Sequence, residues 1–131
     1  MSETLVPVCP LDRLVPERGA AVLVDEHQVA LFRVVDDAGD RVYALSHHDP
    51  FSEANVMARG IVGSSGDRVT VASPMYKQVL DLASGVCLTE PDVRLPVWRT
   101  RIEEGYVYLH PHPVPLGDEG PPVDERLAAL A

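Results

Sequence analysis

The sequence predicts an all-β domain, an antiparallel sandwich or small barrel, followed by a proline-rich tail. Three observations predict it. Short β-branched apolar runs recur through the first 110 residues. Clusters of Gly, Asp and Ser punctuate them at short intervals. No segment of that stretch carries a sustained helical period. Strands this short with turns this frequent fit two packed antiparallel layers or a closed sheet.

The elements follow in order. Pro10 is tolerated at a helix start, so residues 11–14 fit one helical turn. Residues 20–24 and 29–35 are β-branched runs split by Asp25-Glu26-His27-Gln28, which reads as a hairpin. Asp36-Asp37-Ala38-Gly39-Asp40 turns the chain into a strand over 41–45. Residues 46–60 show no clear period of two. Gly63-Ser64-Ser65-Gly66-Asp67 reads as a turn opening the strand 68–72. A strand over 78–82 ends at Ala83-Ser84-Gly85, and Glu103-Glu104-Gly105 joins 97–102 to 106–110.

The pattern changes at Pro111. Pro111, Pro113, Pro115, Pro121 and Pro122 preclude regular sheet pairing, so 1–110 reads as the domain and 111–131 as a tail. Its segment 111–122 is expected to be extended and mobile. The end, 123–131, holds good helix formers behind Asp124 and Glu125, which suit a helix N-terminus. So short a helix is marginal unless it docks on the domain or on a partner.

Composition narrows the function. The 131 residues fit one domain, and a chain of this size buries roughly two-thirds of its unfolded surface without staples. Apolar residues make up 46% and aromatics 5%. The net charge is −9, which repels phosphates and argues against nucleic acid and against anionic membrane surfaces. No apolar run approaches the length of a membrane span, and the first residues lack a basic and apolar leader pattern. Cys9 and Cys87 form no CxxC pair. A reducing, cytoplasmic setting with two free thiols is the expectation.

Two loops share a design. Leu45-Ser46-His47-His48-Asp49-Pro50-Phe51 and Ala72-Ser73-Pro74-Met75-Tyr76-Lys77 each follow a strand. Each sets a proline after an acidic or small residue and then an aromatic. Asp and Ser before proline cap local turns by bonding nearby backbone amides.

With the strands around them, from about Leu5 to His110, these loops resemble the Rieske ferredoxin domain. There, two Cys-Pro-His-type loops hold a [2Fe–2S] cluster. In this sequence Asp49 and Ser73 stand at the Cys positions, and Phe51 and Tyr76 at the His positions. None is an ordinary ligand for an iron–sulfide cluster, so no cluster is expected in this chain. One subgroup of the family has this pattern. The segments Asp49-Pro50-Phe51, Arg59-Gly60-Ile61-Val62-Gly63 and Ser73-Pro74-Met75-Tyr76-Lys77-Gln78 are similar, in the same order, to the small subunit of assimilatory NAD(P)H-dependent nitrite reductase. The resemblance implies a large-subunit partner carrying FAD, siroheme and a [4Fe–4S] cluster. It also implies reduction of nitrite to ammonia by that partner in nitrate and nitrite assimilation.

Other readings of the same residues are weaker. His47, His48, His110, His112 and Cys87 offer metal-ligand types, but consecutive residues on an extended segment point to opposite sides. Solvated or hydrogen-bonded histidines are the simpler expectation. His48, Asp49 and Ser73 offer the residue types of a nucleophilic triad, yet no nucleophile elbow surrounds Ser73. Phe51, Met75 and Tyr76 either fill the volume of the missing cluster or face outward for a partner. Arg59 and Lys77, the sole lysine, are candidate docking cations beside Phe51, Met75 and Tyr76. The alternatives to a non-catalytic nitrite reductase subunit are a [2Fe–2S] carrier with unusual ligation and an interaction domain of another oxidoreductase.

Overall fold

The structure, a computed structural model, describes residues 4–75 and 77–114. The expected tail falls mainly on residues 115–131, outside the described residues. Its first residues are fastened down: Val114 is buried in the core, and its N–H donates to Val97 O at 2.8 Å.

The described chain is built from strands. They are β1 (Val6–Pro10), β2 (Gly19–Val24), β3 (His27–Asp36), β4 (Gly39–Ser46), β5 (His48–Asp49), β6 (Ala54–Asn55), β7 (Ile61–Ser65), β8 (Arg68–Ala72), β9 (Val79–Asp81), β10 (Val97–Trp98), β11 (Thr100–Glu103) and β12 (Tyr106–Leu109). Two 3₁₀ turns, Leu11–Arg13 and Met57–Arg59, are interspersed. Among the described residues, no helix is long and apolar enough to cross a membrane.

The β2–β3 hairpin turns on Asp25 and Glu26 alone, both with positive φ, so β3 already begins at His27. Two consecutive left-handed residues match the twist of a two-residue hairpin. Gly63, Ser64 and Ser65, expected in a turn, belong to β7 instead. They pair with β8, and the turn narrows to Gly66-Asp67. Polar and glycine residues hide a strand from period reading when its outer face is solvated. Arg99 breaks the expected strand 97–102 into β10 and β11, which join different sheets.

One sheet has the order β10-β4-β3-β2, and a second has β1-β12-β11. The first is a middle layer with apolar residues on both faces. From β3, Val29 and Leu31 face the second sheet, while Ala30, Phe32 and Val34 face the other way. From β4, Val42 and Ala44 divide from Tyr43 and Leu45 in the same manner. Alternate residues of a strand point to opposite faces, so a strand covered on both reads as a continuous apolar run. Thr100 Oγ1 donates to Val42 O at 2.7 Å across the two sheets.

The stretch between β4 and β10, which pair with each other, is an inserted lobe. It holds the short β5–β6 hairpin and a third sheet, β7-β8-β9. Val71, Leu80, Leu82, Cys87 and Leu95 of this lobe bury against Phe32 and Leu45 of the middle sheet. At about 25 cal/mol per Å² of apolar surface, this second core holds the lobe's loops in fixed register on the body.

Candidate functional site

The first loop leaves β4 at Ser46. His47 is locked into the body: its N–H donates to Gln28 O at 3.0 Å, and its carbonyl accepts from Met57 N–H at 3.0 Å. Its ring Nδ1 accepts from Ala58 N–H at 3.1 Å. Burial pushes the His47 pKa down, and the Arg59 guanidinium pushes it down further. Both effects favour the neutral ring that this acceptor role needs. His48 is exposed and meets Asn55 Oδ1 through Nδ1 at 3.2 Å.

Asp49 follows, with 0% of its surface exposed. Its Oδ1 accepts from Phe51 N–H at 2.9 Å, and its backbone carbonyl accepts from Glu53 N–H at 2.7 Å. The expected Asx turn is present. Phe51 is half-buried and packs against the lobe's core. The irregular stretch 46–60 is thus two very short strands and a 3₁₀ turn, held by backbone bonds and by side chains that bond backbone amides.

The second loop is closed by its own backbone. Ser73 N–H donates to Gln78 O at 2.8 Å, and Lys77 N–H donates to Ser73 O at 3.0 Å. Ser73 Oγ accepts from Met75 N–H at 3.3 Å. Lys77 sits at φ +60, a left-handed conformation that costs a residue with a Cβ roughly 1 kcal/mol. Met75 and Lys77 are exposed. Tyr76 lies outside the described residues.

Among the described residues, one side-chain bond joins the loops. The Ser73 hydroxyl donates to Asp49 Oδ2, joining residues 24 positions apart. Ser73 is 1% exposed, so both partners are shielded from water. A hydrogen bond to a carboxylate is stronger than a neutral one, and removing either member strands a buried polar group.

The two positions that match the Cys ligands of a Rieske domain therefore do converge. The donor set there does not fit an iron–sulfur cluster. Asp49 and Ser73 bond each other, and Phe51 presents a carbon ring to the core. Cys87 lies in the lobe's core and Cys9 on β1, packed against the other core, so neither thiol belongs to the two loops. Burial pushes the Cys9 thiol up, with Arg13 pulling the other way. Among the described residues, no three His, Cys, Asp or Glu side chains group as a metal site. The triad reading also lacks its geometry. Ser73 bonds directly to a carboxylate with no imidazole between them, and it is closed to substrate.

Of the candidate partner residues, Arg59, Met75 and Lys77 lie on the surface, while Phe51 turns inward. Two residues carry more than the sequence reading gave them. His47 braces the first loop, and only its place before the loop hinted at this. Ile61 is 69% exposed at the start of β7, and no apolar/polar alternation in the sequence marks it.

Comparison with known proteins gives a consistent picture. The Rieske-like [2Fe-2S] domain family matches residues 4–110. The chain is similar to the nitrite reductase (NADH) small subunit of Escherichia coli K12. They are 34% identical over 102 residues, covering 78% of this chain and 93% of that one. The same length of chain is 37% identical to part of the nitrite reductase [NAD(P)H] large subunit of Klebsiella oxytoca, spanning 10% of that protein. Among solved structures, the nitrite reductase [NAD(P)H] small subunit from Erwinia carotovora superposes with a TM-score of 0.68 at 36% identity. The match covers 92% of this chain and 87% of the other.

Proposed function

Because this chain belongs to the Rieske-like [2Fe-2S] domain family and, within it, to the small subunits of NAD(P)H-dependent nitrite reductase, we propose that it works as a cluster-free, non-catalytic subunit. On this reading it binds the large subunit and supports that subunit's reduction of nitrite to ammonia in the cytoplasm. FAD, siroheme and a [4Fe–4S] cluster belong to the large subunit, and electrons do not pass through this chain.

The observation that carries the reading is the Asp49–Ser73 bond. It occupies the two positions from which a Rieske domain would offer thiolates, and it holds the loops together without metal. The scaffold is kept while the redox chemistry is gone, which leaves binding as the use of the fold. The K. oxytoca relative supports the choice of partner. A segment similar to this chain lies within a large subunit there, and joining two parts in one chain raises their effective concentration for each other.

Co-expression with the large subunit tests the reading. The two chains are expected to co-elute, and nitrite-dependent oxidation of NADH or NADPH is expected to be higher or longer-lived with this chain than without it. Recovery from native extract with an oxidoreductase that lacks siroheme, and not with nitrite reductase, overturns it.

A further inference from the structure

The third sheet has an inner and an outer face, and its register sorts them. Val62, Val71 and Leu80 stand side by side across β7, β8 and β9. Val71 and Leu80 are buried, and Val62 packs on the same core. The adjacent row is Ile61, Ala72 and Val79. Neighbouring rows of a sheet point to opposite sides, so this apolar row faces away from the core. Ile61 is 69% exposed, and Ala72 and Val79 are partly exposed. Met75, 55% exposed, follows β8 by three residues.

The charges around this row run against the rest of the molecule. The chain carries −9, yet two of the charged residues two positions from the row in sequence are cations, Arg59 before Ile61 and Lys77 before Val79, and the acid there, Asp81 after Val79, is paired with Arg68. Arg59 and Lys77 are exposed, and neither forms an ion pair among the described residues. Arg68, further along β8, is neutralised by Asp81 at 2.8 Å. A cation-rimmed apolar row on an acidic protein complements an apolar patch bordered by carboxylates.

We propose that the outer face of β7-β8-β9, centred on Ile61, Ala72, Val79 and Met75 and rimmed by Arg59 and Lys77, is the docking surface for an acidic-bordered apolar patch on the nitrite reductase large subunit. This rests on the proposed function for the identity of the occupant. The Asp49–Ser73 bond ties the loop bearing Met75 and Lys77 to the first loop.

The test measures affinity between this chain and the intact, cofactor-loaded large subunit at two salt concentrations. Ile61→Asp is expected to weaken binding about tenfold or more, as for a central interface position. Lys77→Glu is expected to weaken it about three- to tenfold, with less dependence on salt. Leu23→Asp, at a 71% exposed site on β2, an edge strand of another sheet, is expected to stay within about twofold of the unaltered chain. Met75→Asp, on a loop and outside the sheet ladder, serves as the second reading if Ile61→Asp disturbs folding. If the unaltered chain binds and all four variants bind equally, the face is wrong and the proposed function stands. If the unaltered chain does not bind, both fall. A self-associated chain that Ile61→Asp converts to monomer also overturns the proposal, because the face would then serve a second copy.

Discussion

The two loops at the end of the lobe send their larger side chains in opposite directions. The first is fastened by side chains turned inward: Asp49 caps its turn, His47 receives a backbone amide, and Phe51 fills the core. The second is closed by backbone bonds from Ser73 to Gln78 and from Lys77 to Ser73, which leaves Met75 and Lys77 facing out. The first loop is an anchor and the second a display surface, and among the described residues the Ser73 side chain joins them.

Substitutions that respect this division break it in graded steps. Asp49→Ala removes the acceptor for both the Phe51 amide and the Ser73 hydroxyl, and is expected to cost about 3 kcal/mol of unfolding free energy in urea titration. Phe51→Ala leaves a partly open void, with an expected loss of about 2 kcal/mol, below the range for full burial. Ser73→Ala keeps the Asp49 turn but strands one carboxylate oxygen and one amide, costing about 1–2 kcal/mol.

Acid should act on the first loop before the second. The His47 pKa is lowered in the folded chain, so the unfolded chain binds the extra proton first. The stability it contributes is whole above its ordinary value of 6.5 and is lost as pH falls from there through the lowered native value. The protection of the Ala58 amide, corrected for its intrinsic exchange rate, is expected to fall down this range, and a His47→Gln variant should flatten the change. The smallest effect belongs to the display loop. Met75→Ala is expected to alter unfolding free energy by less than about 0.5 kcal/mol, as exposed positions do. A larger loss in that variant would remove the contrast between the loops.

Much of this arrangement is legible from residue types. The paired turn chemistry at Asp49 and Ser73 is visible in the Asp-Pro and Ser-Pro steps, and the strands of the middle sheet follow from their apolar runs. The bond between the two loops is not visible, because nothing local brings residues 24 apart into contact. β7 escaped detection because Gly63, Ser64 and Ser65 have turn composition but sit in a solvated edge strand. The stretch 46–60 has no period because its strands are two residues long and the rest is held by bonds to distant groups, such as His47 N–H on Gln28 O and Ala58 N–H on the His47 ring. The inward direction of Phe51 depends on packing against the lobe's core, which no short window contains.

Iron and acid-labile sulfide, measured on protein purified without oxygen, test most directly whether a hydrogen bond has taken the place of the cluster. The account predicts substoichiometric traces of both, together with loss of stability in Ser73→Ala. About two irons and two sulfides per chain, as a [2Fe–2S] centre requires, would contradict it and restore this subunit as an electron carrier.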